Sequence, residues 1–230
     1  MNVALLTAAG KSTRMHIDIP KQFLHIAGKP VIIHTMEVFQ KHPEIDAIMV
    51  VTLDIWKDTI MAYAKEFGIT KLRWIADGGE TGQESIKKGI LKLSEECKET
   101  DVVMVHDGNR PFISDVIISD SLATYREYGS AVAAIPCIEA IFRSKDGNCS
   151  CDSIPREELF RTQTPHSYSL KKMIWAHREA EIRKIENTTA TCVLMQMLGE
   201  KIYFSKGSEK NLKLTTQDDL DIFKAMLQQK

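Results

Sequence analysis

Asn2-Val3-Ala4-Leu5-Leu6-Thr7-Ala8-Ala9-Gly10-Lys11-Ser12-Thr13-Arg14-Met15 is the stretch that decides the fold. Val3 to Leu6 is a short apolar run with no basic lead and no long apolar core, so it reads as a strand rather than a signal peptide. A loop of small residues follows. Gly10 lets a backbone approach a ligand, and exposed N–H groups in such a loop suit an anion. Arg14 and Lys21 add two cations, and Pro20 stiffens the approach to Lys21. The loop is not a P-loop, which would need glycine where Leu5 stands, and it lacks the Gly-x-Gly-x-x-Gly dinucleotide fingerprint. Spacing leaves two readings: a phosphate cradle, or a solvated basic turn.

The same rhythm continues along the chain. Ala47-Ile48-Met49-Val50-Val51, Leu72-Arg73-Trp74-Ile75-Ala76, Val102-Val103-Met104-Val105 and Ala131-Val132-Ala133-Ala134-Ile135 are further apolar runs. Runs of this length read as strands buried on both faces, as in a parallel sheet. Amphipathic stripes lie between them. Trp56, Ile60, Tyr63, Ala64 and Phe67 form one, stopped by Gly68; Ile86, Ile90, Leu93 and Cys97 form another; Ile118, Leu122 and Tyr125 form a third, stopped by Gly129. The alternation predicts an α/β fold, Rossmann-like, with a mostly parallel central sheet and right-handed crossovers. It breaks after Ile135. Residues 136–160 carry Pro136, Gly147, Asn148 and Pro155 and read as a protruding β-arm from a single domain spanning 1–230. Helices near 169–182 and 189–198, a strand at Ile202-Tyr203-Phe204 and a last helix complete the expectation. Thr216-Gln217-Asp218-Asp219 has capping-box spacing and opens that last helix.

Composition narrows the function classes. The 230 residues carry 30 Lys and Arg against 31 Asp and Glu, a net charge of −1 that argues against a general nucleic-acid or membrane-surface binder. An anionic partner must therefore be held by a local cluster of cations. No run approaches the ~20 apolar residues of a membrane span. Five cysteines is an odd number for a disulfide framework and points to a reduced, cytoplasmic setting. Cys149 and Cys151 lack a second ligand pair for zinc. His16, His25, His34, His42, His166 and His177 show no ligand or triad spacing, and there is no Gly-x-Ser-x-Gly elbow, so nothing supports a hydrolase.

Ligands of open parallel sheets bind beyond the strands' carboxyl ends, so the loops there are the candidates. Asp77-Gly78-Gly79-Glu80-Thr81-Gly82-Gln83-Glu84-Ser85 has glycines that admit a nucleobase against the backbone, with Ser85 capping the next helix or touching the base; a plain glycine-rich turn is the alternative. His106-Asp107-Gly108-Asn109-Arg110-Pro111 puts a carboxylate just past a buried strand. Mg²⁺ takes one or two carboxylates plus phosphate oxygens, which suits Asp107, and Arg110 is placed for a second anion; an Asp–Arg pair that only shapes the turn is the alternative. Arg156 and Lys213 are late cations that read equally as surface charges.

Taken in order, these motifs, with Pro20-Lys21-Gln22, Thr164-Pro165 and Asn211-Leu212-Lys213-Leu214-Thr215, resemble the 2-C-methyl-D-erythritol 4-phosphate cytidylyltransferases and the ribitol-5-phosphate cytidylyltransferases across nearly the whole chain. The resemblance implies that CTP and a polyol phosphate give a CDP-polyol and pyrophosphate with Mg²⁺, in a homodimer that exchanges its β-arms. By the same resemblance, Arg14 and Lys21 would hold the triphosphate and stabilise the transition state. Ala8, Ala9, Gly10, Gly79 and Ser85 would surround cytidine, and Asp107 would serve the metal. Arg110 and Thr164 would face the acceptor. Lys213, also counted as catalytic, and the partner-crossing Arg156 would hold its phosphate.

The sequence departs from that pattern at four places. Ser12 stands for a second glycine, Gly82 for an Arg, Glu139-Ala140 for an Asp-Thr pair, and Thr189-Ala190 for a Thr-Asp. Three of the four fall on the acceptor or metal side, so CTP use is the firmer expectation. A nucleotide-binding homologue without turnover and another sugar-phosphate nucleotidyltransferase are the competing readings.

Overall fold

The computed structural model describes residues 1–10 and 19–228. Its elements are β1 (Asn2–Ala8), β2 (His25–Ile26), β3 (Lys29–Pro30), α1 (Val31–Lys41), β4 (Ala47–Thr52), α2 (Lys57–Glu66), β5 (Leu72–Asp77) and α3 (Gly82–Glu96). There follow β6 (Val102–Asp107), α4 (Asp115–Tyr128), β7 (Ser130–Pro136), β8 (Ile141–Arg143), β9 (Asp152–Ile154), β10 (Phe160–Ser169), α5 (Leu170–Ile182), α6 (Thr191–Met197), β11 (Phe204–Lys206) and α7 (Gln217–Leu227).

The five apolar runs become β1, β4, β5, β6 and β7. They enter one seven-stranded sheet of order β11-β7-β10-β6-β1-β4-β5. All neighbours in it are parallel except β10, which is antiparallel to both β6 and β7. Alternate side chains face opposite layers. Ala4, Leu6, Ile48, Val50 and Met104 pack with α1, α2 and α4 through Met36, Phe39, Ile60 and Leu122. Val3, Leu5, Met49, Val51 and Val105 pack with α3, α5 and α6 through Ile90, Met173 and Leu194. A strand covered on both faces has no polar side to show, which is why these runs are continuously apolar. Gly129 ends α4 with φ +76°, its N–H on Tyr125 O at 2.7 Å, the left-handed cap that glycine supplies.

Topology places the site. The chain steps outward from β1 to β4 and β5, then returns to β6 on the other side of β1. That reversal opens a crevice at the carboxyl ends of β1 and β6. Thr7 and Asp107 sit side by side there in the parallel register.

Three elements differ from the sequence expectation or add to it. The late strand is Phe204–Lys206 rather than Ile202–Phe204; Tyr203 contributes only its carbonyl, which accepts from Val132 N at 2.9 Å. β10 was not foreseen, because its polar residues and Pro165 hide it among loop-like composition. Its pairing with β7 shifts between Thr162 and His166, and the Thr164–Pro165 bond is cis. α1 also lay outside the expected stripes, although Ile32, Met36 and Phe39 recur on its buried face. Residues 141–154 form a separate antiparallel hairpin, β8 on β9, registered Ile141 to Ile154. The capping box is present as expected: Asp219 N donates to Thr216 Oγ1 at 3.2 Å, and Thr216 N donates to Asp219 Oδ2 at 2.7 Å. α7 then seats Leu220 and Phe223 against Ile26, Val31 and Leu214.

Candidate active site

The site is built on the end of β6. Gly108 N donates to Thr7 O at 2.9 Å and Arg110 N to Asp107 O at 3.1 Å, so the chain turns tightly over the end of β1. That turn brings the Arg110 Nε within 2.9 Å of Asp107 Oδ2. Lys213 Nζ, 106 residues away in sequence, donates to Asp107 Oδ1 at 2.9 Å. Lys213 is held there by a strap. Asn109 Nδ2 donates to Leu214 O at 2.6 Å, Leu214 N to Asn109 O at 2.9 Å, and Arg110 Nη1 to Asn211 O at 2.7 Å. Asn211 Nδ2 in turn reaches Thr164 O at 2.8 Å.

The irregularity in β10 sets Thr164 against this turn. Its hydroxyl accepts from Asp107 N at 3.1 Å and meets His106 Nδ1 at 3.0 Å. The hydroxyl then donates to Nδ1, which leaves the imidazole proton on Nε2 for Arg110 O at 3.3 Å. Burial pushes His106 down to about 3, against a smaller upward pull from Asp107, so the ring is neutral. Burial opposes ionisation of Asp107, but the Lys213 and Arg110 charges and their hydrogen bonds hold its carboxyl well below the usual carboxylate range. The centre is thus a carboxylate flanked by two cations, with uncharged groups behind it.

On the other side of the crevice, Gln22 Nε2 donates to Ala8 O at 2.5 Å and to Gly10 O at 3.2 Å. This fixes the adjoining Lys21, which opens a 3-10 turn over Lys21–Phe23, beside the end of β1. The turn after β5 comes as close: a methyl at Gly78 would stand 2.4 Å from Ala9 Cβ, so only glycine lets the two loops touch. Ser85 does not cap α3; Thr81 does, accepting from Glu84 N at 3.1 Å. The buried Ser85 hydroxyl instead accepts from Gly79 N at 2.9 Å and donates to Thr81 O at 2.9 Å, which shapes the glycine turn.

Ala8, Ala9, Gly10, Gly79 and Ser85 therefore lie around one end of the crevice, and Asp107, Arg110, Thr164 and Lys213 meet at the other. Arg14 lies outside the described residues. Arg156 does not join its own chain's cluster; it is 61% exposed in the arm, with Nη1 on Ile138 O at 3.4 Å and Nε on Glu157 at 3.5 Å. Sequence reasoning passed over the residues that hold the centre in place: His106, Asn109, Gln163 and Asn211. Each stands in or beside a quoted motif, and polar residues at such spacing were the available signal. Behind the charged cluster is a cavity of about 360 Å³. Gly82 and Ala190, two of the four departures, both line it.

The family model described as IspD, 2-C-methyl-D-erythritol 4-phosphate cytidylyltransferase, matches residues 2–229. The chain belongs to this cytidylyltransferase family. It is 40% identical to a ribitol-5-phosphate cytidylyltransferase of Lacticaseibacillus paracasei over 100% of this chain and 99% of that one. It is 34% identical to a 2-C-methyl-D-erythritol 4-phosphate cytidylyltransferase of Clostridium novyi, covering 99% of this chain and 96% of that one. The crystal structure of 4-diphosphocytidyl-2C-methyl-D-erythritol synthase from Anaerococcus prevotii shares the fold, with TM-score 0.84, 22% identity and coverage of 98% and 95%. The cytidylyltransferase family is one of CTP-dependent nucleotidyltransferases, so the chain is an enzyme of that class. The α/β architecture and the resemblance read from the motifs both hold.

Proposed function

We propose that this cytidylyltransferase transfers CMP from CTP to ribitol 5-phosphate, giving CDP-ribitol and pyrophosphate. The observation that carries the reading is the meeting of Arg110, Thr164 and Lys213 around Asp107 beside the Ala8–Gly10 turn. The relative at 40% identity favours ribitol 5-phosphate as acceptor. The family description favours 2-C-methyl-D-erythritol 4-phosphate, and that is the second reading.

An oxygen of the acceptor phosphate attacks the α-phosphorus of CTP. A new P–O bond forms, the α–β bridging P–O bond breaks, and pyrophosphate leaves with the electron pair. The nucleophile is anionic near neutral pH, its second pKa being about 6, so no general base is required. The barrier is repulsion between anions, and positioned cations lower it. Arg14 and Lys21 serve the triphosphate; Arg110 and Lys213 serve the acceptor, with Arg156 arriving from the partner subunit's arm. Each oxygen of Asp107 keeps a lone pair beyond its nearest cation, so it fits a Mg²⁺ that draws its other ligands from phosphate and water. Bound Mg²⁺ would neutralise triphosphate charge. Among the described residues no group of three or more His, Cys, Asp or Glu gathers to hold a metal unaided.

The dimer belongs to the same proposal. Ile138 and Phe142 are 64% and 59% exposed on the arm, an apolar surface that a second copy would cover. No helix among the described residues is long and apolar enough to cross a membrane. Cys97, Cys137, Cys149, Cys151 and Cys192 are all free thiols, which favours a cytoplasmic setting for the proposed enzyme.

The test is pyrophosphate release from CTP with each acceptor, with UTP and GTP as competitors. Ribitol 5-phosphate should give the highest kcat/KM, and EDTA should stop turnover until Mg²⁺ is restored. Binding of CTP with no product from any polyol phosphate would instead establish a homologue without turnover.

A further inference from the structure

The carboxyl end of β4 lies between the loops that form the Ala8–Gly10 end of the crevice. Thr52, fully buried, pairs with Ala8 on one side and Asp77 on the other. Its hydroxyl donates to Ala8 O at 3.3 Å, and its carbonyl accepts from Gly78 N at 2.7 Å. The chain then enters α2 through a 3-10 turn over Asp54–Trp56, closed by Trp56 N on Leu53 O at 2.9 Å. Two neighbouring side chains of this corner serve different loops.

Trp56 goes to the Lys21 turn. Its indole stacks on Phe23, with ring centroids 4.3 Å apart and planes 16° from parallel. Phe23 is buried and ends the turn that Lys21 opens. Gln22, between them, is tied to Ala8 O and Gly10 O. Lys21 thus stands on a three-residue platform whose far end rests on Trp56. Lys57 goes to the glycine turn. Its Nζ lies 2.6 Å from Asp77 Oδ1 and 3.1 Å from Asp54 Oδ1. The hydrogen bond to Asp77, then that to Asp54, raises the Lys57 pKa, so the ammonium is charged. Asp77 immediately precedes Gly78, which α3 holds from its own side through Lys88 Nζ on Gly78 O at 3.0 Å.

Folding does not call for the Lys57 contacts. Asp54 and Asp77 side chains are 84% and 59% exposed, and ion pairs so open to water add little stability. α2 has its own anchors in Ile60 and Ala64, which enter the core. We propose that Trp56 and Lys57 are positioning residues for the nucleotide: Trp56 sets Lys21 through Phe23, and Lys57 sets the Gly78–Gly79 turn through Asp77. The proposal rests on the CTP reading above, in which Lys21 serves the triphosphate and the glycine turn faces cytidine. It adds the corner that fixes the distance between those two contacts. Displacing a catalytic group by about 1 Å can cost ~10² in rate, so a support under a three-residue turn acts on catalysis.

The test compares four variants by steady-state kinetics and by calorimetry with CTP. Trp56→Ala should lower kcat about 10-fold and weaken CTP binding, and Trp56→Phe, which keeps a ring on Phe23, should restore most of both. Lys57→Ala should raise the CTP Kd about 3-fold at unchanged Tm, and Lys57→Arg should reverse it. KM for ribitol 5-phosphate should stay constant in all four, because that phosphate is held at the Asp107 end. Equal losses in KM for both substrates would mark a merely structural role and overturn the proposal. So would unchanged kcat and CTP Kd in folded Trp56→Ala. If Trp56→Ala does not fold, Lys57→Ala decides, and an unchanged CTP Kd there overturns the proposal. If the unmodified enzyme turns over no polyol phosphate, the reaction is misassigned. A CTP Kd raised in Lys57→Ala and recovered in Lys57→Arg would still uphold the positioning role.

Discussion

Asp107 carries a cation on each oxygen, and the consequences are measurable at single residues. Lys213→Ala removes a preorganised positive charge and should lower kcat by about 10²–10³. Tm should fall modestly, because the largely buried Asp107 carboxylate then has only Arg110 as counter-charge. Lys21→Ala should abolish turnover with the fold intact by circular dichroism; near-normal activity would remove Lys21 from the reaction. The pH dependence follows from the neutral imidazoles. His106 and His166 titrate at about 3 and 4, so neither changes charge between pH 5 and 9. The acid limb of kcat/KM should fall near pH 6, where the acceptor phosphate titrates, and should move with an acceptor analogue of different pKa. At this scale Asp107 and Arg110 were legible, because they stand just past a buried strand, whereas Lys213 read as a surface charge and drew a role only from the family resemblance. His106 and Asn211 were not, because their hydrogen-bond partners come from segments that only the fold brings near.

Elements differ in how openly the sequence declares them. β1, β4, β5, β6 and β7 are apolar because both faces are covered, and α3 and α4 show one greasy stripe each. β10 shows neither pattern. Its side chains serve the crevice, so Gln163, Thr164 and His166 stand where a core strand would carry valine or isoleucine. The shifted late strand has the same lesson: Ile202 packs against the core without joining the ladder, which begins at Phe204. The irregular stretch of β10 can be tested directly. Thr164→Val should leave the Asp107 N–H without its partner, cost about 1–3 kcal/mol in chemical denaturation and lower kcat; Thr164→Ser should restore most of both.

Among the described residues, burial lowers the pKa of three histidines, His106, His166 and His177, from 6.5, so all three are uncharged. Once unfolded, they take up protons as pH falls below about 6.5, while in the folded protein they resist until about 4 or below. Stability they contribute is therefore full above pH 6.5 and declines on acidification towards pH 4. Denaturant midpoints at pH 7, 6, 5 and 4 should fall in that order, and His177→Gln should shallow the slope. The arm is legible as an interruption in the strand–helix rhythm, but its partner is not, since an interface needs a second surface. Phe142→Asp should shift the proposed dimer towards monomer in analytical ultracentrifugation.

The pairing of Asp107 with Lys213 joins segments made at different times. A ribosome releases Asp107 long before the strap that carries Lys213, and until then the carboxylate has only Arg110 to balance it. The Ala8–Gly10 end of the crevice is assembled from early-synthesised loops, while the Asp107 end waits for the late strap. A chain cut short before Lys213 would therefore lack one of the two charges that balance Asp107.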